Sequence, residues 1–150
     1  MRFPMISLAL SLALVVGVQQ AGAAENAGQI KVSKGVVQIE RSGQRVPAPV
    51  GSVVQQGDLV ITGADGSVGI TFRDNSLLSV GPDSVLSIDR FVFDSTTHQG
   101  AFDSSLKQGT LAVVSGKLAK QSPEAMKVRT PAAILGVRGT EFLVRTGAKD

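Results

Sequence analysis

From Gly28 onward, apolar and polar residues alternate in short runs. Ile30-Lys31-Val32 and Val37-Gln38-Ile39 place apolar side chains two apart, and Ser42-Gly43-Gln44 offers a turn before Arg45-Val46, so residues 30 to 47 read as a hairpin. In Val68-Gly69-Ile70-Thr71-Phe72 the three large residues share one face, and Leu78-Ser79-Val80, Leu86-Ser87-Ile88 and Phe91-Val92-Phe93 repeat the theme. Gly63-Ala64-Asp65-Gly66, Asp74-Asn75 and Gly81-Pro82-Asp83 interrupt these runs with turn chemistry. A further strand spans Leu106 to Gly116, Lys117 to Glu124 reads as a loop or one helical turn, and Met126 to Thr130 alternates until Pro131 stops it. Glu141 to Arg145 forms the last strand. No window keeps helical spacing for more than about two turns. The pattern predicts an all-β domain of short stacked strands and hairpins, either β-solenoid-like or a flattened β-sandwich, with no substantial helix beyond the N-terminal segment.

That segment is different. Met1-Arg2 gives a positive end, Met5 to Val18 is almost wholly apolar, and Gln19-Gln20-Ala21-Gly22-Ala23-Ala24 is polar and small. This is the layout of a secretory signal peptide, whose apolar run is shorter than the roughly 20 residues that span a bilayer. Cleavage is expected after Ala23 or Ala24, leaving a β domain over 28–145 and a tail at 146–150. Without Arg2 the balance falls from 15 to 14 Lys+Arg against 12 Asp+Glu, so the net charge drops from +3 to +2. The expected product is an exported periplasmic protein with no integral membrane span.

Composition removes most chemistry. There is no Cys, Trp or Tyr and a single His, which excludes disulfides, thiolate metal sites and cysteine nucleophiles, and leaves one imidazole for any triad. That residue, His98, lies in a polar stretch where a solvated role is expected. Asp65, Asp74 and Asp83 recur every nine residues, which suggests turns aligned along one edge. Calcium-binding nonapeptide rolls need a Gly-Gly-x-Gly-x-Asp loop that is missing, so the aspartates are assigned to turn stabilisation. No metal and no cofactor is expected.

Several separated motifs carry a specific resemblance. Gly57-Asp58-Leu59-Val60-Ile61-Thr62-Gly63, then Ile70-Thr71-Phe72-Arg73-Asp74-Asn75-Ser76, Gly81-Pro82-Asp83-Ser84, Val128-Arg129-Thr130-Pro131 and Gly136-Val137-Arg138-Gly139-Thr140-Glu141-Phe142 follow in order. From about Gly28 to Arg145 the chain resembles the FecR domain family. The resemblance implies a β-rich periplasmic domain, which in the founding regulators receives a siderophore signal from an outer-membrane receptor. Those regulators also carry a cytoplasmic sigma-factor-binding segment and a membrane-spanning helix. Neither is matched here, so anti-sigma activity is not carried over, and the chain is expected to be a small stand-alone exported form. The family-motif residues Gly57, Asp58, Thr62, Gly63, Phe72, Asp74, Ser76, Thr130, Pro131, Gly136, Arg138, Gly139, Thr140 and Phe142 are candidates for structural or partner-binding roles.

Arg138, held between two glycines, is expected to aim its donors at carbonyls or at a carboxylate such as Glu141 or Asp58. Its structural reading is a pinned chain crossing, and its functional reading is contact with an anionic ligand. Lys117, Lys120, Lys127 and Arg129 read as a solvated basic face, and the phenylalanines as core. Nucleic acid is not expected, since the basic segment lacks aromatic platforms. No catalytic constellation stands out. The expected function is a non-enzymatic sensory, signalling or scaffold module that binds another envelope protein, with homo-oligomerisation a way to cover a sheet edge. The alternatives are a small-ligand or glycan receptor and, third, an unrecognised hydrolase.

Overall fold

The computed structural model describes residues 26–137 and 140–147. The segment expected to be a signal peptide, with the cleavage positions Ala23 and Ala24, lies outside the described residues, as do Arg138 and Gly139. Chain order runs β1 (Asn26–Lys34), β2 (Val37–Arg41), β3 (Gln44–Pro47), β4 (Val53–Gln55), β5 (Leu59–Thr62), β6 (Ser67–Phe72), β7 (Leu77–Val80), β8 (Val85–Phe93) and β9 (Gly100–Val114). A short helix α1 (Lys117–Gln121) and a single 3-10 turn (Pro123–Ala125) precede β10 (Met126–Arg129), β11 (Ile134–Gly136) and β12 (Glu141–Thr146). The domain is all-β. Its helix is one turn long because Leu118 and Ala119 need burying while Pro123 forbids continuation.

The strands form one curled sheet with the path β3-β2-β5-β8-β9-β7-β6-β1-β4. The 15-residue β9 holds the two halves together. Its first half lies between β8 and β10, and its second half between β7 and β12. Gly109, at a φ of +98°, sits between the two stretches. The halves face each other across one core. Phe72 from β6 meets Phe91 of β8 at 5.6 Å and Phe102 of β9 at 4.5 Å, and Phe91 and Phe102 stack edge to face at 5.0 Å. Each buried large side chain contributes about 1.5–3 kcal/mol, and Phe72, Phe102, Ile30, Ile70, Leu78 and Leu86 are among the most completely enclosed. Alternation is cleanest in β6, where Val68, Ile70 and Phe72 point inward.

Successive coils of a solenoid pair in parallel, whereas among the described residues every ladder but β9–β10 is antiparallel. The strands form a curled antiparallel sheet, a half-barrel, so the all-β class holds and the solenoid-like arrangement does not. Two local expectations are corrected. Residues 30 to 47 are not one hairpin: β2 pairs with β3, while β1 crosses to the opposite half and pairs with β4 and β6. The crossing occurs at the bend of Gly35 and Val36, where Gly35 adopts a φ of +65°. Nor do the three aspartates form a column. The Asp83 N–H donates to Gly63 O at 3.0 Å, which places the turns at 65 and 83 side by side. The turn at 74 lies at the other end of β6, where the Lys117 N–H donates to Asp74 O. The turn at 74 joins the antiparallel neighbours β6 and β7, whereas at 65 and 83 the chain passes from one half of the sheet to the other, so a nine-residue interval does not line up all three.

Candidate functional site

The motif residues gather at the turns between strands, where backbone groups without ladder partners must be satisfied. In the turn between β4 and β5, Gly57 adopts a φ of +92° and donates its N–H to Ile88 O at 2.7 Å. Asp58 is thereby carried into the interior. Its carboxylate accepts Arg41 Nε at 2.8 Å, Arg41 Nη2 at 2.7 Å and the Gln55 N–H at 2.8 Å. Arg41 Nη2 also donates to Val53 O at 3.1 Å, so one guanidinium ties β2 in one half-sheet to β4 in the other. The carboxylate is 1% exposed and the Arg41 side chain 41%. The hydrogen bonds that Arg41 donates to Asp58 raise its pKa above the ordinary value, opposed by partial desolvation and helped by the Asp58 charge. The expected contacts of Arg138 lie outside the described residues, and among those described the bidentate partner of Asp58 is thus Arg41. Sequence reasoning missed it, although the signal was there: Arg41 continues the inward positions of Val37 and Ile39 and so needed a buried acceptor.

Thr62 closes β5. Its Oγ1 donates to Gly81 O at 2.6 Å and accepts the Ser84 N–H at 2.9 Å. Ser84 Oγ in turn donates to Pro82 O and accepts the Thr110 N–H, both at 3.0 Å. Gly63 accepts from Gly66 at 2.9 Å, and a Cβ there would stand 3.2 Å from the Val36 Cβ.

At the opposite end, Asp74 and Ser76 are fully buried. Asp74 Oδ1 accepts the Ser76 N–H at 3.0 Å and Oδ2 accepts Ser76 Oγ at 2.6 Å. Ser76 Oγ then accepts the Gly116 N–H at 3.1 Å. Gly116 is a second participant that the sequence did not single out. A Cβ on it would run into the Asp74 carbonyl and the Ser76 amide, so only glycine lets the end of β9 approach this turn.

In the C-terminal part, Thr130 caps the β10–β11 turn. Its Oγ1 accepts the Ala132 and Ala133 N–H groups at 3.3 and 3.1 Å, and Pro131 sits exposed at the tip. Gly136 pairs with Lys127. Thr140 O accepts both the Ser115 N–H at 2.8 Å and Ser115 Oγ at 3.1 Å. Phe142 is half-buried against the core. The motifs therefore occupy two ends of the sheet and its last strand, not one cavity. No group of three or more His, Asp or Glu able to hold a metal ion occurs among the described residues.

The surface offers grooves rather than a deep cleft. One of about 390 Å³ runs past Gln29, Lys31 and Arg73, and Arg73 lies over the Phe91 ring at 5.4 Å. His98 lines another groove beside Leu118 and Gln121. It is less solvated than expected, since its ring stacks on Phe93 at 5.9 Å. Hydrogen bonds from the Thr96 and Thr97 amides hold the exposed Asp94 carboxyl below the usual range, and Ser122 Oγ does the same for Glu124. Lys117, Lys120, Lys127 and Arg129 are all exposed.

Residues 58–150 match the family model described as FecR protein. The chain belongs to the FecR family. No curated protein matches it. A solved structure titled "Cell surface anchoring domain" is 32% identical over 41% of this chain and 83% of its own, with a TM-score of 0.40. The FecR match starts at Asp58, yet β1 to β4 share the same sheet and core, so this FecR protein builds its fold from residues before the matched region as well.

Proposed function

We propose that this FecR protein is exported, loses its leader after Ala23 or Ala24, and works in the periplasm as a non-enzymatic binding module that engages another envelope component in signalling or scaffolding. The observation that carries this reading is where the motif side chains go. Asp58, Thr62, Asp74 and Ser76 are buried and hydrogen-bonded within the fold, so they stabilise turns and leave recognition to the exposed loops and sheet edges. Family membership and the apolar leader pattern support the envelope setting. Among the described residues no helix is long and apolar enough to cross a membrane.

A photocrosslinking residue placed in living cells at exposed Val36, Val50 or Val92, with buried Val60 as control, tests the proposal alongside fractionation and N-terminal sequencing. A discrete adduct with a second envelope protein from an exposed position, and a mature N-terminus at Ala24 or Glu25, are the expected results. Recovery from the cytosol with Met1 intact overturns the export part. Failure of every exposed position to form an adduct overturns the binding part.

A further inference from the structure

Among the described residues, β12 is paired on one side only, by β9. It is the longest one-sided strand. By comparison, β3 has four residues and ends in Pro47, and β4 and β11 have three each. Natural edges are usually protected by proline, a bulge or an inward-pointing charge. Here the register with β9 is unbroken from Glu141 to Thr146, and the core-side residues Phe142, Val144 and Thr146 are uncharged. On the outer face, Leu143 is 66% exposed, the most exposed large apolar side chain of the described residues.

The direction of the backbone groups follows from the ladder. Ser115 donates its N–H to Thr140 O, and this register continues as Phe142↔Val113 and Val144↔Leu111. In an antiparallel ladder hydrogen-bonded pairs alternate. The amide and carbonyl groups of residues 140, 142, 144 and 146 therefore face β9, and those of Glu141, Leu143 and Arg145 face the open edge.

We propose that this edge pairs antiparallel with β12 of a second copy of the chain, about a two-fold axis through Leu143. A closed two-fold contact must be self-complementary, and this strand is. The register sets Leu143 against Leu143, Glu141 against Arg145 and Arg145 against Glu141, with each outward backbone group meeting its counterpart. On the core side Phe142 faces Val144 of the other copy, which covers the exposed part of its ring. Shifting the register by two residues either way takes Glu141 off Arg145. Charge complementarity thus selects both the partner and the alignment. The proposal is independent of where the chain works and of any other partner.

The test uses the full chain purified in the form the cell leaves it. Sedimentation over a concentration series is expected to show a monomer–dimer equilibrium. Glu141→Arg and Arg145→Glu each place like charges in both symmetry-related pairs, and each should weaken self-association about tenfold or more. Mixing the two variants restores opposite charges in a heterodimer, and so does the double variant E141R/R145E in itself. Circular dichroism confirms that these exposed substitutions leave the fold intact. The chain has no cysteine, so L143C provides one thiol at the axis, where the Cα separation of about 5.5 Å in such a pair permits a disulfide. E141C, displaced from its own copy along the strand, should not crosslink. A monomer at the highest soluble concentration, a dimer indifferent to both reversals, no rescue on mixing, or crosslinking at 141 as ready as at 143 overturns the proposal.

Discussion

Arg41 occupies an inward position of β2 and is tolerated there because its head group reaches a carboxylate that is itself out of water. The pair is asymmetric. Removing the arginine strands a buried anion, whereas removing the aspartate leaves a cation with access to solvent. Arg41→Ala should therefore cost about 2 kcal/mol, below the usual loss for a fully enclosed pair because the guanidinium is partly hydrated. Asp58→Asn should cost less, since the amide oxygen still accepts the Gln55 N–H. Urea unfolding of both variants checks the order, and an Arg41→Ala variant as stable as the parent rejects it. Ser104 is the converse case. Its Oγ is buried without a hydrogen-bond partner, at a point of β9 flanked by Ile88 and Val128. Ser104→Ala removes a desolvated hydroxyl without leaving another group unpaired, and should raise stability by about 1 kcal/mol. A loss of stability in the same titration shows that the hydroxyl is satisfied in solution.

Among the elements, the junction of β9 with the β6–β7 turn is the most sensitive to a small change. Gly116→Ala adds one carbon where the Asp74 and Ser76 backbone already stands. It should cost about 2 kcal/mol or more, because the turn must move and release the Ser76–Gly116 hydrogen bond. Gly136→Ala, where a Cβ meets open space, is the matched control and should change the melting temperature little. This junction also shows what a linear chain can disclose. Asp74 and Ser76 were legible as turn chemistry because their partners are two residues apart. The need for glycine 40 residues later was not, since it arises from how two distant reversals pack. Strands such as β6 were legible from strict alternation. The start of β9 at Gly100 was not, because Gly100 closes a polar stretch and the strand was legible only from Leu106. The turn at 42–44 was legible and β2 and β3 do pair across it, but the place of β1 was not, because alternation marks a strand and not which half of the sheet receives it. Asp58 was legible as an acceptor, but Arg41, 17 residues earlier, was not legible as its donor, since the pair forms only where β2 and the β4–β5 turn meet.

At the level of the whole molecule, one strand belongs to both halves, and this determines how the protein comes apart. Phe102, fully enclosed on β9, touches Phe72 from one half-sheet and Phe91 from the other. Neither half can keep its buried face without β9, so unfolding should be a single transition despite the two facing layers. Phe102→Ala removes the shared contact and should cost about 3–5 kcal/mol, a large part of the 5–15 kcal/mol typical of a domain. Its defining consequence is that both halves respond together. Hydrogen exchange at Ile70 in β6 and at Leu86 in β8 should accelerate by the same factor, because each amide is released by the same global opening. Phe142→Ala, at the half-buried last strand, should instead cost less and speed exchange mainly in β12. If Phe102→Ala accelerates exchange in one half and leaves the other unchanged, β9 is not the common element and the sheet consists of two separable layers.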